Sequence, residues 1–130
     1  MIQVDSSYLN DDLALAKSWF SECWRVFCDR ITDTLDKKTL FAKLNEIARR
    51  HFKIGGSVIT NKIGQPFFCT FNQGSDNLYL EIEDLDKTTK NLQKILQEYN
   101  EVNKSGKMDI VLFEFMTEYL AKIQRLIRQP

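Results

Sequence analysis

Apolar residues recur at spacings of three and four along the first part of the chain. The stripe begins at Leu13, ends at Ile31 and predicts an amphipathic α-helix near residues 11–31. Asn10 is the predicted N-cap, and the two aspartates after it fall in the first turn, where the helix dipole favours negative charge. The pattern therefore predicts one long helix with a single apolar face.

A second apolar stripe follows a polar turn at residues 32–38 and predicts a helix near 37–53. Gly55 and Gly56 are expected to end this helix, because glycine adopts the left-handed conformation of a helix terminus at little cost. Two amphipathic helices joined by a short turn bury their apolar faces against each other. We expect the contact to contain Trp19, Phe20, Phe27 and Leu44.

Residues 54–83 have a different composition, since they hold most of the glycines. Two β-branched or aromatic clusters, at 58–59 and 67–71, predict one or two short strands within a long connector. Leu78, Leu80 and Ile82 alternate with Tyr79, Glu81 and Glu83, which is a further strand signal.

The last part of the chain is again helical in pattern. Asp84 or Asp86 is expected to cap a third helix near residues 85–103, and a fourth amphipathic stripe predicts a helix near 109–128. The predicted fold class is therefore mainly α. It comprises a helical part at 1–53, a connector with short strands at 54–83 and a helical hairpin at 84–130.

Charge and composition exclude several function classes. Eighteen basic and 18 acidic residues balance, which argues against nucleic acid or a membrane surface as a partner recognised by net charge. No apolar run approaches the roughly 20 residues of a membrane-spanning helix. We also expect no secretory signal, so the three cysteines indicate reduced thiols in the cytosol.

The sequence lacks the residue patterns that carry catalysis. No Gly-x-x-x-x-Gly-Lys-Ser/Thr sequence occurs to hold a phosphate. The single histidine, His51, lacks partners for a metal site or for nucleophilic catalysis. Acidic pairs at 11–12 and 81–84 lie at predicted helix starts, where the dipole explains them. We expect no catalytic residue, no metal and no cofactor bound by this chain alone.

Residues 19–31 nevertheless resemble the Leu-Trp-x-His-Glu-x-x-Arg-Val-Phe-x-Asp-Arg-Leu helix in the lid of the third AAA+ module of dynein heavy chains. Ser18, Ser21 and Ile31 depart from the leucine, histidine and leucine usual there. The residues that match in register, called the lid motif below, are Trp19, Glu22, Arg25, Val26, Phe27, Asp29 and Arg30.

A second likeness joins residues 99–100, 108–113 and 123–130. These are similar to the stretch that leads into the fourth AAA+ module of the same family, where a helix ending Arg-Ile-x-Arg-Ile-Leu-Arg-Gln-Pro precedes a strand and a Walker A loop. Tyr119 stands where the family commonly has histidine. The residues of this second likeness are closer to those of axonemal (ciliary) dyneins than to those of the cytoplasmic form.

The resemblance implies that the chain is the structural joint between two AAA+ modules of an ATP-driven, minus-end-directed microtubule motor of the cytoskeleton and the cilium axoneme. Its implied partners are the neighbouring AAA+ modules and, through the whole protein, the microtubule and the dynein intermediate and light chains. ATP and magnesium belong to the full-length family. The Walker A, Walker B and sensor residues are expected outside this chain, which should not hydrolyse ATP alone.

One group of residues falls where AAA+ modules place a loop against the adenine ring of a nucleotide. The resemblance implies backbone and apolar contacts from this loop. Its residues are Asp109, Ile110, Val111, Leu112 and Phe113.

Blander interpretations stay open beside this one. Trp19, Arg25 and Phe27 would also suit a buried aromatic face with a local ion pair, and Lys122, Arg125 and Arg128 a solvated helix face. A free-standing helical protein-interaction module is the alternative function, and an enzyme in its own right is a third. The gene sequence beyond Pro130 discriminates among them.

Overall fold

The structure, a computed structural model, describes residues 10–60, 65–71 and 78–127. The chain divides into two compact units, Met1–Phe68 and Cys69–Pro130. The described residues are mainly α-helical with a small two-stranded sheet, which confirms the predicted fold class.

The first helix, α1, spans Asp12–Phe27 and is followed by a 3-10 turn at Cys28–Arg30. Asp11, rather than the predicted Asn10, is the N-cap, because its extended backbone lets the carboxylate accept a hydrogen bond from Leu13 N at 3.2 Å. The prediction of one helix to residue 31 was wrong over its last turn, because α1 ends at Phe27.

The second helix, α2, spans Thr34–Phe52 and begins inside the segment predicted as a turn. Asp33 accepts hydrogen bonds from Leu35 N at 2.7 Å and Asp36 N at 3.2 Å, which satisfies amides that a helix start leaves without partners. The polar run is therefore a capped first turn of helix.

The end of α2 also differs from the prediction. Lys53, and neither of the two glycines, takes the left-handed conformation at the C-cap, with φ 57°. Gly55 instead caps a short helix, α3, over Gly56–Ile59, so the β-branched pair at 58–59 is helical and not a strand. A side chain at position 56 would overlap the Asn45 carboxamide, so this glycine allows α3 to approach α2 closely.

The core of the first unit is a small apolar cluster between α1, α2 and α3. Trp19 and Cys23 are among the half-buried side chains packed around it. Phe27 was predicted to lie in this contact, but its side chain is 55% exposed, so that prediction was wrong. The fully buried members are Ala16, Phe20, Leu44, Ala48 and Ile59.

Two strands of two residues each, β1 at Phe68–Cys69 and β2 at Leu80–Glu81, pair as a small sheet. The aromatic cluster at 67–71 and the alternation at 78–83 thus marked real strands. The alternation does not separate a buried apolar face from an exposed polar one, since Leu78 is exposed while Tyr79 and Glu81 are buried.

The second unit is built on a helical pair, α4 at Leu85–Val102 and α5 at Glu114–Ile127. Asp84 caps α4 by accepting a hydrogen bond from Lys87 N at 3.0 Å, which matches one of the two predicted caps. The prediction that the last helix begins near 109 was wrong by five residues, because residues 108–113 are not helical. Residue 128 lies outside the described residues.

Polar side chains link α4 and α5 to each other and to the end of β1. The hydroxyls of Thr89 and Thr117 are 2.8 Å apart in the buried contact between the two helices. Gln124 hydrogen-bonds both the backbone N–H and the hydroxyl of Thr70, and Asn91 donates to Phe71 O at 2.7 Å. The second unit is therefore held by directed hydrogen bonds as well as by apolar packing.

Candidate functional site

The lid motif divides between the core and the surface of the first unit. Trp19 packs against the core, with its ring 5.5 Å from that of Phe52. Glu22 and Arg25 form an ion pair of 3.0 Å one turn apart on α1. The motif is therefore partly a local structural device, as the blander interpretation predicted for these positions.

The C-terminal part of the lid motif is a surface. Val26 and Phe27 are large apolar side chains left exposed at the end of α1, and Asp29 and Arg30 are exposed on the turn that follows. These four residues lie on either side of the buried Cys28 and are of mixed apolar and charged character; they are called the α1 edge below. It is the part of the motif that is accessible to a neighbouring surface.

Sequence reasoning missed the aromatic residue that completes the core. Trp24 stacks on Phe20, with ring centroids 6.2 Å apart and planes 10° from parallel, and it meets Phe41 edge-on at 5.8 Å. Trp24 follows Phe20 by four residues, a helical spacing that could have revealed the pair. It instead entered the resemblance as a position without a role.

Residues 109–113, which the resemblance assigns to the adenine side of a nucleotide, connect the α4 turn to α5. Leu112 is half-buried, whereas Ile110, Val111 and Phe113 are exposed large apolar residues. Apolar side chains and peptide groups are thus accessible here in one short stretch. That combination suits the face and the polar edge of a planar heteroaromatic ring.

Amide side chains on α4 hold this stretch in place. Asn100 donates to Met108 O at 2.9 Å and accepts from Met108 N at 2.8 Å. Gln93 donates to Leu112 O at 3.3 Å. Residues 108–113, called the tethered segment below, are therefore attached to α4 near both ends.

A shallow cleft of about 630 Å³ lies between the C-terminal half of α4 and the loop at 104–110. Leu96, Met108 and Ile110 give it an apolar component, and Lys104 and Lys107 line it as well. Glu101 and Asp109 also line it, so the cleft presents charges of both signs beside its apolar residues. Part of the tethered segment thus forms one wall of an open cleft.

A row of exposed aromatic rings extends from the tethered segment along α5. Phe113 and Phe115 are nearly parallel at 6.5 Å, and Phe115 lies 4.7 Å from Tyr119. The ammonium group of Lys122 lies 5.4 Å from the centre of the Tyr119 ring. These residues form an apolar and aromatic surface, called the α5 row below.

The titratable groups show little sign of catalytic tuning. Burial, with help from the Glu22 charge, raises the pKa of the Cys23 thiol, which keeps it protonated and unreactive at neutral pH. Burial also raises the pKa of Glu118, with Glu114 adding to the effect and Lys122 opposing it. Among the described residues no group of His, Cys, Asp or Glu could hold a metal ion.

The basic residues of α5 do not form the uniform solvated face that the blander interpretation expected. Arg125 is buried, with only 2% of its surface exposed, and Lys122 is half-buried. Arg128 lies outside the described residues. Arg125 is therefore packed inside the second unit, although charged side chains are usually exposed. The spacing of the basic residues along the helix does not reveal this.

Within the described ranges, no helix has the length and apolar character needed to cross a membrane. No protein-family model matches the chain. The chain is thus a helical segment of two units, and the tethered segment of the second unit is accessible.

Sequence relatives identify the family. The chain is 32% identical over 116 residues to dynein axonemal heavy chain 10 of Homo sapiens, a match covering 88% of this chain. It is 33% identical to dynein axonemal heavy chain 17 of Mus musculus, over 94% of the chain. It is 31% identical over 93% of the chain to the dynein alpha chain of the flagellar outer arm of Chlamydomonas reinhardtii.

The chain therefore belongs to the dynein heavy chain family and corresponds to a segment of such a chain. It spans only 2–3% of the length of these relatives. The family assignment made from the lid motif and from the second likeness is confirmed.

Proposed function

We propose that this segment is the structural joint between two AAA+ modules of a dynein heavy chain. The first unit contributes to the lid of the third module, and the second leads into the fourth. The observation that carries the proposal is the division of the chain into two separately compact helical units. Relatives in the dynein heavy chain family align with nearly the whole chain across both units.

The α1 edge supports the lid assignment. Its residues match the lid motif, yet they are not required for the internal core of the first unit, since Val26 and Phe27 are exposed. Side chains of this kind become buried when a neighbouring module covers them. A lid that rotates against its neighbour uses such a surface in a hinge or shear movement.

The names of the relatives support the role proposed for the whole protein, since two are axonemal dynein heavy chains and one is a flagellar outer-arm chain. In this proposal the heavy chain is an ATP-driven, minus-end-directed microtubule motor of the cilium axoneme. Its further partners are the intermediate and light chains. Phosphate and magnesium are held elsewhere in the heavy chain, and this segment stabilises the arrangement of the modules.

For the tethered segment we propose contact with the adenine side of a nucleotide in the fourth module. Val111 and Ile110 supply exposed apolar surface for the ring, and the peptide groups of residues 109–113 supply donors and acceptors for its edge. The affinity contributed here is small, because phosphate contacts and magnesium dominate nucleotide binding.

Photolabelling tests this contact. The heavy chain that carries this segment is irradiated with 8-azido-ADP, and labelled peptides are located by mass spectrometry. We expect label within residues 107–115, and we expect excess ADP to displace it. The absence of displaceable label there in the unmodified protein would contradict the nucleotide contact.

A matched pair of substitutions sharpens the experiment. Val111 is 81% exposed in the tethered segment and Val102 is 82% exposed at the end of α4. We expect Val111→Asp to lower the labelling severalfold, because a carboxylate repels the nucleotide and removes apolar contact. Val102→Asp adds the same charge at equal exposure and should leave the labelling unchanged.

The alternative function, a free-standing helical interaction module, is favoured by one observation. The α5 row exposes three aromatic side chains, and such a surface also suits a protein partner. The reading frame beyond Pro130 separates the two functions. A strand followed by Gly-x-x-Gly-x-Gly-Lys/Arg-x-Ser supports the joint, and a stop codon supports the free module.

A further inference from the structure

Asn100 makes a paired contact with a backbone that lies eight residues further along the chain. Its carboxamide donates to Met108 O at 2.9 Å and accepts from Met108 N at 2.8 Å. The two bonds reproduce those that a neighbouring β-strand gives one residue of its partner. They also fix the orientation of the amide, since the donor and the acceptor each face their complement.

Hydrogen bonds also hold the turn between Asn100 and Met108. Asn103, the C-cap of α4, donates to Tyr99 O from its backbone at 2.9 Å and from its side chain at 3.2 Å. Gly106 N then donates to Asn103 O at 3.2 Å. The chain therefore reverses immediately after α4 and returns alongside it.

A second contact shows the course of the returning chain. Gln93 donates to Leu112 O at 3.3 Å, so the two contacts are seven residues apart on α4 and four apart on the tethered segment. Seven helical residues rise about 10.5 Å, and four extended residues span about 13 Å. The tethered segment therefore runs antiparallel to α4 in a nearly extended conformation.

Residues in such a conformation need external partners for their peptide groups. In the described part of the chain, the tethered segment belongs to neither strand of the sheet. A carboxamide offers an N–H donor and a carbonyl acceptor, the same two groups that a peptide offers. Asn100 thus supplies at position 108 what a sheet would otherwise supply.

We infer that Asn100 is a positioning residue, which sets the register of the tethered segment against α4 and so fixes where residues 109–113 can meet a ligand. The role in ligand placement rests on the proposed nucleotide contact. The hold on the backbone does not. Gln93 has the same function at the other end through a single hydrogen bond.

The first measurement is hydrogen–deuterium exchange by mass spectrometry on the intact heavy chain. In Asn100→Ala we expect exchange of the Met108 amide, which lies within the peptide covering residues 107–113, to rise about fivefold, the effect of losing two hydrogen bonds at the weak end of their usual range. Peptides from α1 and α5 should keep their rates. Unchanged exchange at 107–113 would overturn the inference.

Two further variants separate a directed contact from general loss of structure. Asn103→Ala removes from the same turn a carboxamide that hydrogen-bonds to Tyr99 O in α4, and it should leave exchange at 107–113 close to the unmodified rate. Asn100→Asp keeps the acceptor for Met108 N and loses the donor, so we expect an intermediate rate. Equal exchange in Asn100→Asp and Asn100→Ala would contradict the paired contact.

Photolabelling with 8-azido-ADP provides the second measurement. We expect Asn100→Ala to reduce labelling at 107–115 and Asn103→Ala to preserve it. If labelling is unchanged in Asn100→Ala while exchange rises, Asn100 does not position the ligand-contacting residues. If the unmodified protein carries no label there, the proposed nucleotide contact fails, and a rise in exchange still supports the hold on the backbone.

Discussion

Phe20 and Phe27 lie seven residues apart on α1, and both belong to the apolar stripe that predicts the helix. Phe20 is fully buried between Trp24 and Phe41, whereas Phe27 is 55% exposed. We expect Phe20→Ala to lower the free energy of unfolding by about 3–5 kcal/mol. Phe27→Ala should lower it by well under half as much, measured by urea unfolding of both variants. A larger loss for Phe27→Ala would contradict the placement of the core.

The sequence predicted the wrong burial for Phe27 because it extended the stripe through a continuous helix. α1 ends at Phe27, and the buried position shifts to Cys28 in the 3-10 turn that follows. Phe27 is the last residue of α1, and Trp24 is the last residue of this helix that packs on the core. The apolar spacing does not show where packing against a neighbouring element stops.

Lys53, the C-cap of α2, has a left-handed backbone conformation. A non-glycine residue at φ 57° is strained, and glycine at that position avoids the clash of its Cβ with the backbone. We expect Lys53→Gly to raise the free energy of unfolding by roughly 0.5–1 kcal/mol. As a control, Lys38→Gly within α2 should lower it by about 1 kcal/mol. Destabilisation by Lys53→Gly would show that the lysine side chain has a role that its exposure does not reveal.

At the scale of elements, the cap of α4 decides where the second unit's helical pair begins. Asp84 accepts a hydrogen bond from Lys87 N, and we expect Asp84→Ala to cost about 1 kcal/mol of stability. Asp86 lies two residues on and forms only an exposed ion pair with Lys90. Asp86→Ala should therefore cost less, as measured by thermal unfolding of the two variants side by side. Equal losses would mean that charge in the first turn, and not the cap, stabilises α4.

The four long helices were predictable as elements, and most of their ends were not. The bounds of α4 were predicted within one residue, since an aspartate cap precedes a regular stripe. α2 begins earlier than its apolar stripe because Asp33 caps a polar first turn. α5 begins later because Asn100 and Gln93 bind the backbone that would have formed its first turn. Contacts from another element are invisible to local spacing.

The candidate site was likewise predictable only in part from the sequence. The resemblance picked out residues 109–113, but their attachment to α4 depends on a hydrogen bond between positions eight apart across a turn. The lid motif contained one core residue, one ion pair and the exposed α1 edge, and nothing in the spacing of its residues separates the three. The family, in contrast, was predictable from the residues of the two matching segments and from their order along the chain.

At the scale of the whole molecule, the exposed apolar surface predicts association. The α5 row leaves Phe113, Phe115 and Tyr119 exposed, and uncovered apolar patches of a few hundred Å² drive contacts between molecules. We expect light scattering of the 130-residue chain to show a mass that rises with concentration.

A matched pair of variants identifies the surface responsible. Phe115→Ser should reduce the association, because it interrupts the row at its centre. Leu35→Ser removes a comparably exposed apolar side chain from α2 and should have little effect. A clean monomer at high concentration would instead favour a self-sufficient helical module.

In the proposed role, this segment joins two AAA+ modules and brings residues 109–113 to a nucleotide. Electron cryo-microscopy of the heavy chain that carries it, with ADP bound, measures both parts at once. We predict that the first unit lies in the lid of one module, with the α1 edge covered, and that residues 109–113 contact the adenine ring in the next. Both units within a single module, or an adenine ring remote from residues 109–113, would contradict the claim.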